Sequence, residues 1–312
     1  MNTEQRPGDL YKQLWDANTA EDRLTPEEVR RVSGILRREF LRLFLFANRR
    51  NVHQRAREGV LRLADTARHE HLFDMRFEGA DVLKDCDLLL ANHQGPRGLG
   101  KGTAQGGLET LFANAIVPDN TRFLLGNMVV NRRTLSIKDF VRACVIRLKN
   151  PIVLYRPTKE ACANRSTYVS QFREERRRAF TELFRAIVED GTPGLIYPEG
   201  QRSPTGEILP LMADLFEVAL ESYVEPLTQV GRDPRIGLVI ADTMQVFPQG
   251  FGAGAPLYRK PLTIRGVIYD TTELMGRVRM CRTPQDRKML ARWFCMHVQR
   301  CMRKELSKTL TA

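Results

Sequence analysis

Nowhere in its 312 residues does this chain run apolar for the roughly 20 positions that a membrane-spanning helix needs. The most apolar stretch, Phe40-Leu41-Arg42-Leu43-Phe44-Leu45-Phe46-Ala47, is far shorter and carries an arginine. Met1 to Pro7 is polar and lacks the apolar core of a secretory signal. The expectation is therefore a chain that crosses no membrane. Cysteine is sparse: Cys86, Cys144, Cys162, Cys281, Cys295 and Cys301 are scattered, with no Cys-x-x-Cys pair and no Cys/His cluster at metal spacing. That argues for a reducing cytosol and against structural zinc. Internal repeats, low-complexity segments and the alternation of aromatic and basic residues used by single-strand binders are all missing, so no nucleic-acid partner is expected.

What is present suits a globular chain with a sizeable core, in one large α/β domain or two smaller ones. Hydrophobic residues make up 42% and charged residues 28%, which is neither disordered nor membrane-like composition. A formal net charge of +12 calls for an anionic partner: a phospholipid surface, a nucleic acid or a phosphorylated substrate. Charge alone does not choose among them.

Two kinds of periodicity divide the chain. In the first 80 or so residues, Thr25-Pro26-Glu27-Glu28 reads as a capping box with proline at the first helical position. Val29, Val32, Leu36, Phe40, Leu43 and Ala47 follow at helical spacing, and a second helix is expected over Val52 to His69. Arginines 37, 38, 42, 49 and 50 flank the apolar turn, which is either a core helix with solvated ends or a segment that dips into a bilayer. From residue 81 to 312, strands and helices alternate. Strands are expected at Asp87 to Ala91, Arg122 to Leu125, Ile152 to Tyr155, Gly194 to Tyr197, Ile236 to Ala241 and Leu262 to Tyr269. Helices are expected at Thr167 to Val188, Leu211 to Tyr223 and beyond Thr283-Pro284. The alternation predicts an α/β fold: a mixed, mostly parallel sheet flanked by helices, with an N-terminal helical segment.

The chemistry concentrates where two of those strands end. After Gly194 to Tyr197 comes Pro198-Glu199-Gly200-Gln201-Arg202-Ser203, a carboxylate, a glycine and an arginine at a strand's C-terminal end. Ligand crevices of open α/β sheets form at such ends. Glycine lets backbone come close, and an arginine fork grips a phosphate or carboxylate with two hydrogen bonds. After Asp87 to Ala91 comes Asn92-His93-Gln94, followed by a Gly-rich run from Gly95 to Gly107. Between the two blocks, Ile152-Val153-Leu154-Tyr155 leads to Arg156.

Tyr197-Pro198-Glu199-Gly200-Gln201-Arg202-Ser203 closely resembles the Phe-Pro-Glu-Gly-Thr-Arg-Ser block of the glycerol-phosphate and lysophospholipid acyltransferases; only Phe→Tyr and Thr→Gln differ. Asn92-His93 resembles the opening of that family's Asn-His-(x4)-Asp block, and Arg156 stands where the family has an arginine after a strand. The resemblance covers about residues 85 to 225, with the blocks in the family's order. It implies that His93 is the general base, taking a proton from an acceptor hydroxyl that attacks an acyl thioester. It implies also that Arg156 and Arg202 hold the acceptor's phosphate, and that Glu199 contacts its hydroxyl or fixes Arg202, unless it is a structural ion pair. Gly200 then admits close approach, and Ser203 caps the turn with Thr205.

The second block departs from the family. Gly98 stands where the resemblance implies an aspartate, and the next carboxylate is Glu109. Either the Gly-rich run loops out and Glu109 orients His93, or a backbone carbonyl does so, or the protein is an inactive lipid- or anion-binding module. The same run also fits part of a phosphate loop, Gly95-(x4)-Gly100-Lys101, but Gly102 holds the place of the metal-binding hydroxyl and Thr103 comes one residue late. A nucleotide-binding protein is thus the competing reading, with Leu238 to Asp242 as its second strand. The acyltransferase reading implies no metal and no cofactor beyond acyl-CoA or acyl carrier protein as co-substrate. Its partners are that thioester, a phosphorylated glycerol or lysophospholipid, and an anionic membrane surface on which a cytoplasmic protein sits peripherally. Asp214, Glu217 and Glu221 recur on one helix face and are read as solvated; His297 is read as packing.

Overall fold

The structure is a computed structural model and describes residues 20–46, 52–94, 112–126, 151–154, 165–203, 205–247 and 257–311. In chain order the elements are α1 (Pro26–Phe46), α2 (Val52–His69), β1 (Met75–Glu78), α3 (Ala80–Leu83), β2 (Leu88–Ala91), β3 (Arg122–Gly126) and β4 (Ile152–Leu154). They continue with α4 (Arg165–Asp190), β5 (Gly194–Ile196), α5 (Ala213–Ala219), a π turn (Leu220–Val224), α6 (Glu225–Gln229), β6 (Ile236–Asp242), β7 (Leu262–Tyr269), α7 (Thr272–Met280) and α8 (Pro284–Thr311).

The expected capping box forms at the head of α1. Thr25 N–H donates to Glu28 Oε2 at 2.8 Å, and Glu28 N–H donates back to Thr25 Oγ1 at 3.3 Å. The Thr25 N–H, followed by Arg259, holds the Glu28 carboxyl below its usual range. The side chains of Phe40 and Leu43 to Phe46, on which the choice between core and bilayer turned, lie outside the described residues, and Leu41 is half exposed.

Seven strands form one sheet in the order β1-β7-β6-β2-β5-β3-β4. β6, β2, β5, β3 and β4 run parallel; β7 turns back antiparallel to β6, and β1 runs parallel to β7. This is the mixed, mostly parallel α/β sheet the alternation predicts. The central strands are apolar on both faces because helices cover both. Along β2, Leu88 and Leu90 join one core with β5's Ile196, β6's Leu238 and the inward residues of α4, α5 and α8. Leu89 and Ala91 point the other way, into a second core with Leu195, Val239 and the α1–α2 pair. Phe180, Phe184, Phe216 and Phe294 are fully buried in the first core, and each such ring contributes roughly 1.5–3 kcal/mol relative to exposure. His297 lies with this packing: its Nδ1 is 2.7 Å from the Tyr269 hydroxyl and its ring stacks on Trp293.

Three details differ from the sequence reading. β1 was not expected: Met75-Arg76-Phe77-Glu78 alternates apolar and polar, but a run of four residues is too short to stand out alone, and the pairing to β7 fixes it as a strand. The helix expected to end at Tyr223 continues through the π turn to Gln229. The wider turn opens the backbone just where the ring of Pro226 would crowd the carbonyl one turn earlier. Asp214 and Glu221, read as solvated, instead pair with Arg176 and Arg177 and tie α5 to α4.

α3 is seated on β7 by a close approach of two backbones. Gly79 opens α3 with φ of 76°, and a Cβ there would lie 2.2 Å from the backbone carbonyl oxygen of Gly266 on β7. Gly79→Ala combines left-handed strain with overpacking against immobile backbone, so it should cost roughly 2–4 kcal/mol. A urea titration with the midpoint unchanged would refute this account of the turn.

Candidate functional site

His93 and the Pro198-to-Ser203 block, more than a hundred residues apart in sequence, meet at the C-terminal ends of two adjacent parallel strands, β2 and β5. Their meeting is covalent-chain geometry first: Leu88 pairs with Gly194 and Leu90 with Ile196, so the segments that leave the strands emerge side by side. The backbones then interlock. His93 N–H donates to Glu199 Oε1 at 2.7 Å, and His93 C=O accepts from Ser203 N–H at 2.7 Å. The second Glu199 oxygen accepts the N–H of Leu209, also at 2.7 Å. Glu199 is only 4% exposed, and the two backbone donors satisfy both of its buried oxygens. These contacts give Glu199 a task that sequence reasoning did not foresee: it clamps the peptide of the candidate base.

The flanking amides anchor the same loop to β6. Asn92 donates to Ala241 C=O at 2.9 Å and accepts Ala241 N–H at 2.6 Å, so its side chain adds one more rung beyond the β2–β6 ladder. Gln94 accepts Thr243 N–H at 2.9 Å and donates to Gly206 C=O at 3.2 Å. Both are almost wholly buried, where an unmade amide hydrogen bond would cost about 1–3 kcal/mol. Sequence reasoning took them as motif letters only. The spacing was the available signal: two amides at i and i+2 after an apolar strand continue the pleat on one side. Asp242, the acid of the competing nucleotide reading, is fully buried and accepts from Gln245 Nε2.

The His93 ring is half-buried and lies against Tyr197, with ring centroids 4.5 Å apart and planes tilted by 33°. Arg202 is half-buried on the turn leading to Ser203. Ser203 is fully buried, with Oγ 3.4 Å from Thr205 Oγ1. Gly200 has φ of 64°, and a Cβ on it would come within 2.7 Å of Met212 Sδ. What approaches that glycine in this structure is a side chain of the strand-to-helix segment. Glu109, Arg156, Gly98 and the Gly95–Lys101 run lie outside the described residues. β4, which leads to Arg156, ends two strands beyond β5, about 10 Å across the sheet. Among the described residues no group of His, Cys, Asp or Glu could hold a metal ion, and no helix is long and apolar enough to cross a membrane.

No protein-family model matches the sequence, and no curated protein matches it either. Solved structures do resemble the fold. Among them is the crystal structure of the 1-acyl-sn-glycerophosphate (LPA) acyltransferase PlsC from Thermotoga maritima, 14% identical, with 96% of this chain and 95% of that one covered at a TM-score of 0.46.

Proposed function

We propose that this chain is an O-acyltransferase that moves a fatty acyl group from a thioester, acyl-CoA or acyl carrier protein, to a hydroxyl of glycerol-3-phosphate or a lysophospholipid. The observation that carries the proposal is the junction of the two blocks: the histidine and the Glu-Gly-x-Arg-Ser turn that resemble the family's signature are hydrogen-bonded to each other at the C-terminal ends of two interior strands. On this reading His93 removes the proton of the acceptor hydroxyl as its oxygen attacks the thioester carbonyl. The tetrahedral intermediate expels the thiolate, which takes the proton back from the imidazolium, leaving an ester and a free thiol. Arg202 and Arg156 neutralise the acceptor phosphate with paired forks, and Glu109 orients the imidazole. No covalent acyl-enzyme is required. The protein would work peripherally at an anionic membrane surface, which its formal charge of +12 suits.

Thiol release by the purified protein tests this, with acyl-CoAs of several chain lengths and then acyl carrier protein as donors. The expected result is release that depends on glycerol-3-phosphate or lysophosphatidic acid. No release from either donor with either acceptor would leave the inactive anion-binding module, the reading that Gly98 in the aspartate's place favours.

A further inference from the structure

Ile208 C=O and Leu209 N–H belong to one peptide group, and both its ends are held. The N–H donates to Glu199 Oε2 at 2.7 Å, while the C=O accepts from Arg303 Nη2 on α8 at 3.2 Å. The C=O of the next peptide, at Leu209, accepts from Gln299 Nε2 at 2.8 Å, and Leu211 C=O accepts from the Cys295 thiol at 3.7 Å. Residues 295, 299 and 303 are four apart and form one stripe along α8. That stripe grips residues 208–211, which lie in neither helix nor strand and so lack a backbone ladder to fix them.

The bonds run without a break from α8 to the candidate base: guanidinium to peptide, peptide to carboxylate, carboxylate to the His93 N–H. A cation on a peptide carbonyl polarises the group and strengthens its N–H as a donor. We propose that Arg303 and Gln299 are positioning residues, which fix Glu199 and through it the backbone of His93. The inference rests on His93 being the base of the proposed reaction. Both residues lie far beyond the blocks that resemble the acyltransferases, and neither touches the reacting groups.

The test reads His93 directly, in full-length protein labelled with 15N-histidine, whose five histidines make the backbone amides assignable. Arg303 is exposed, so Arg303→Met leaves the fold intact; Gln299→Leu and the double variant follow, with Arg303→Lys as the conservative rescue. The His93 amide proton should move upfield and exchange about tenfold faster in the double variant, and kcat should fall about tenfold at constant KM. Arg303→Lys should recover part of both, and Arg300→Met, an exposed arginine on the same helix, should change neither. A His93 amide unmoved in the folded double variant overturns the proposal. An amide that responds in a protein that transfers no acyl group supports the positioning and overturns the catalytic reading instead.

Discussion

Replacing Glu199 with glutamine is expected to lower the unfolding free energy by about 3 kcal/mol and to remove acyl transfer with it. Both carboxylate oxygens accept backbone N–H groups, from His93 and from Leu209. An amide keeps one acceptor oxygen but turns an NH2 toward the other N–H, so one buried donor loses its partner and meets a second donor. Hydrogen bonds to a charged group contribute roughly 1.5–3 kcal/mol each, and the surviving one reverts to a neutral pair. Glu199→Ala loses both and adds a cavity, so it should be worse. In a urea titration the midpoint should fall with the slope unchanged, since the surface exposed on unfolding is the same. A glutamine variant as stable as the wild type would mean that the carboxylate does not hold this junction.

The elements that sequence alone revealed are those whose signal is local. α2 forms over Val52–His69 as its periodicity predicts, and the capping box fixes the head of α1 because its partners are three residues apart. β2 and β5 stand out as short apolar runs that end at His93 and Pro198, and this placed both halves of the candidate site correctly at strand C-termini. What sequence could not give is pairing. Nothing in Leu262 to Tyr269 says that β7 runs against β6 and not with it, and β1 exists only through β7. The role of Glu199 was hidden for the same reason. Two main-chain groups, at His93 and at Leu209, donate to it, and a backbone N–H leaves no trace in the residue type that bears it. The expected partners were side chains or a substrate, the only kinds of partner that a motif displays.

His93→Ala separates the candidate base from the frame that holds it. The frame grips His93 by its main chain, N–H to Glu199 and C=O to Ser203 N–H, so alanine leaves both bonds in place. The imidazole itself is half-buried and rests on Tyr197, an aromatic contact worth about 0.5–1.5 kcal/mol. Stability should therefore fall by about 1 kcal/mol. Acceptor-dependent thiol release should fall far more, by about 10³-fold, within the range that a general base contributes. The Glu199 and His93 variants then differ in kind: the first loses stability and activity together, the second activity with the stability nearly intact. Should His93→Ala keep more than a tenth of the wild-type rate, the imidazole would not be the base. The junction at the ends of β2 and β5 would then be a structural clasp, and the proton would have to leave through another group.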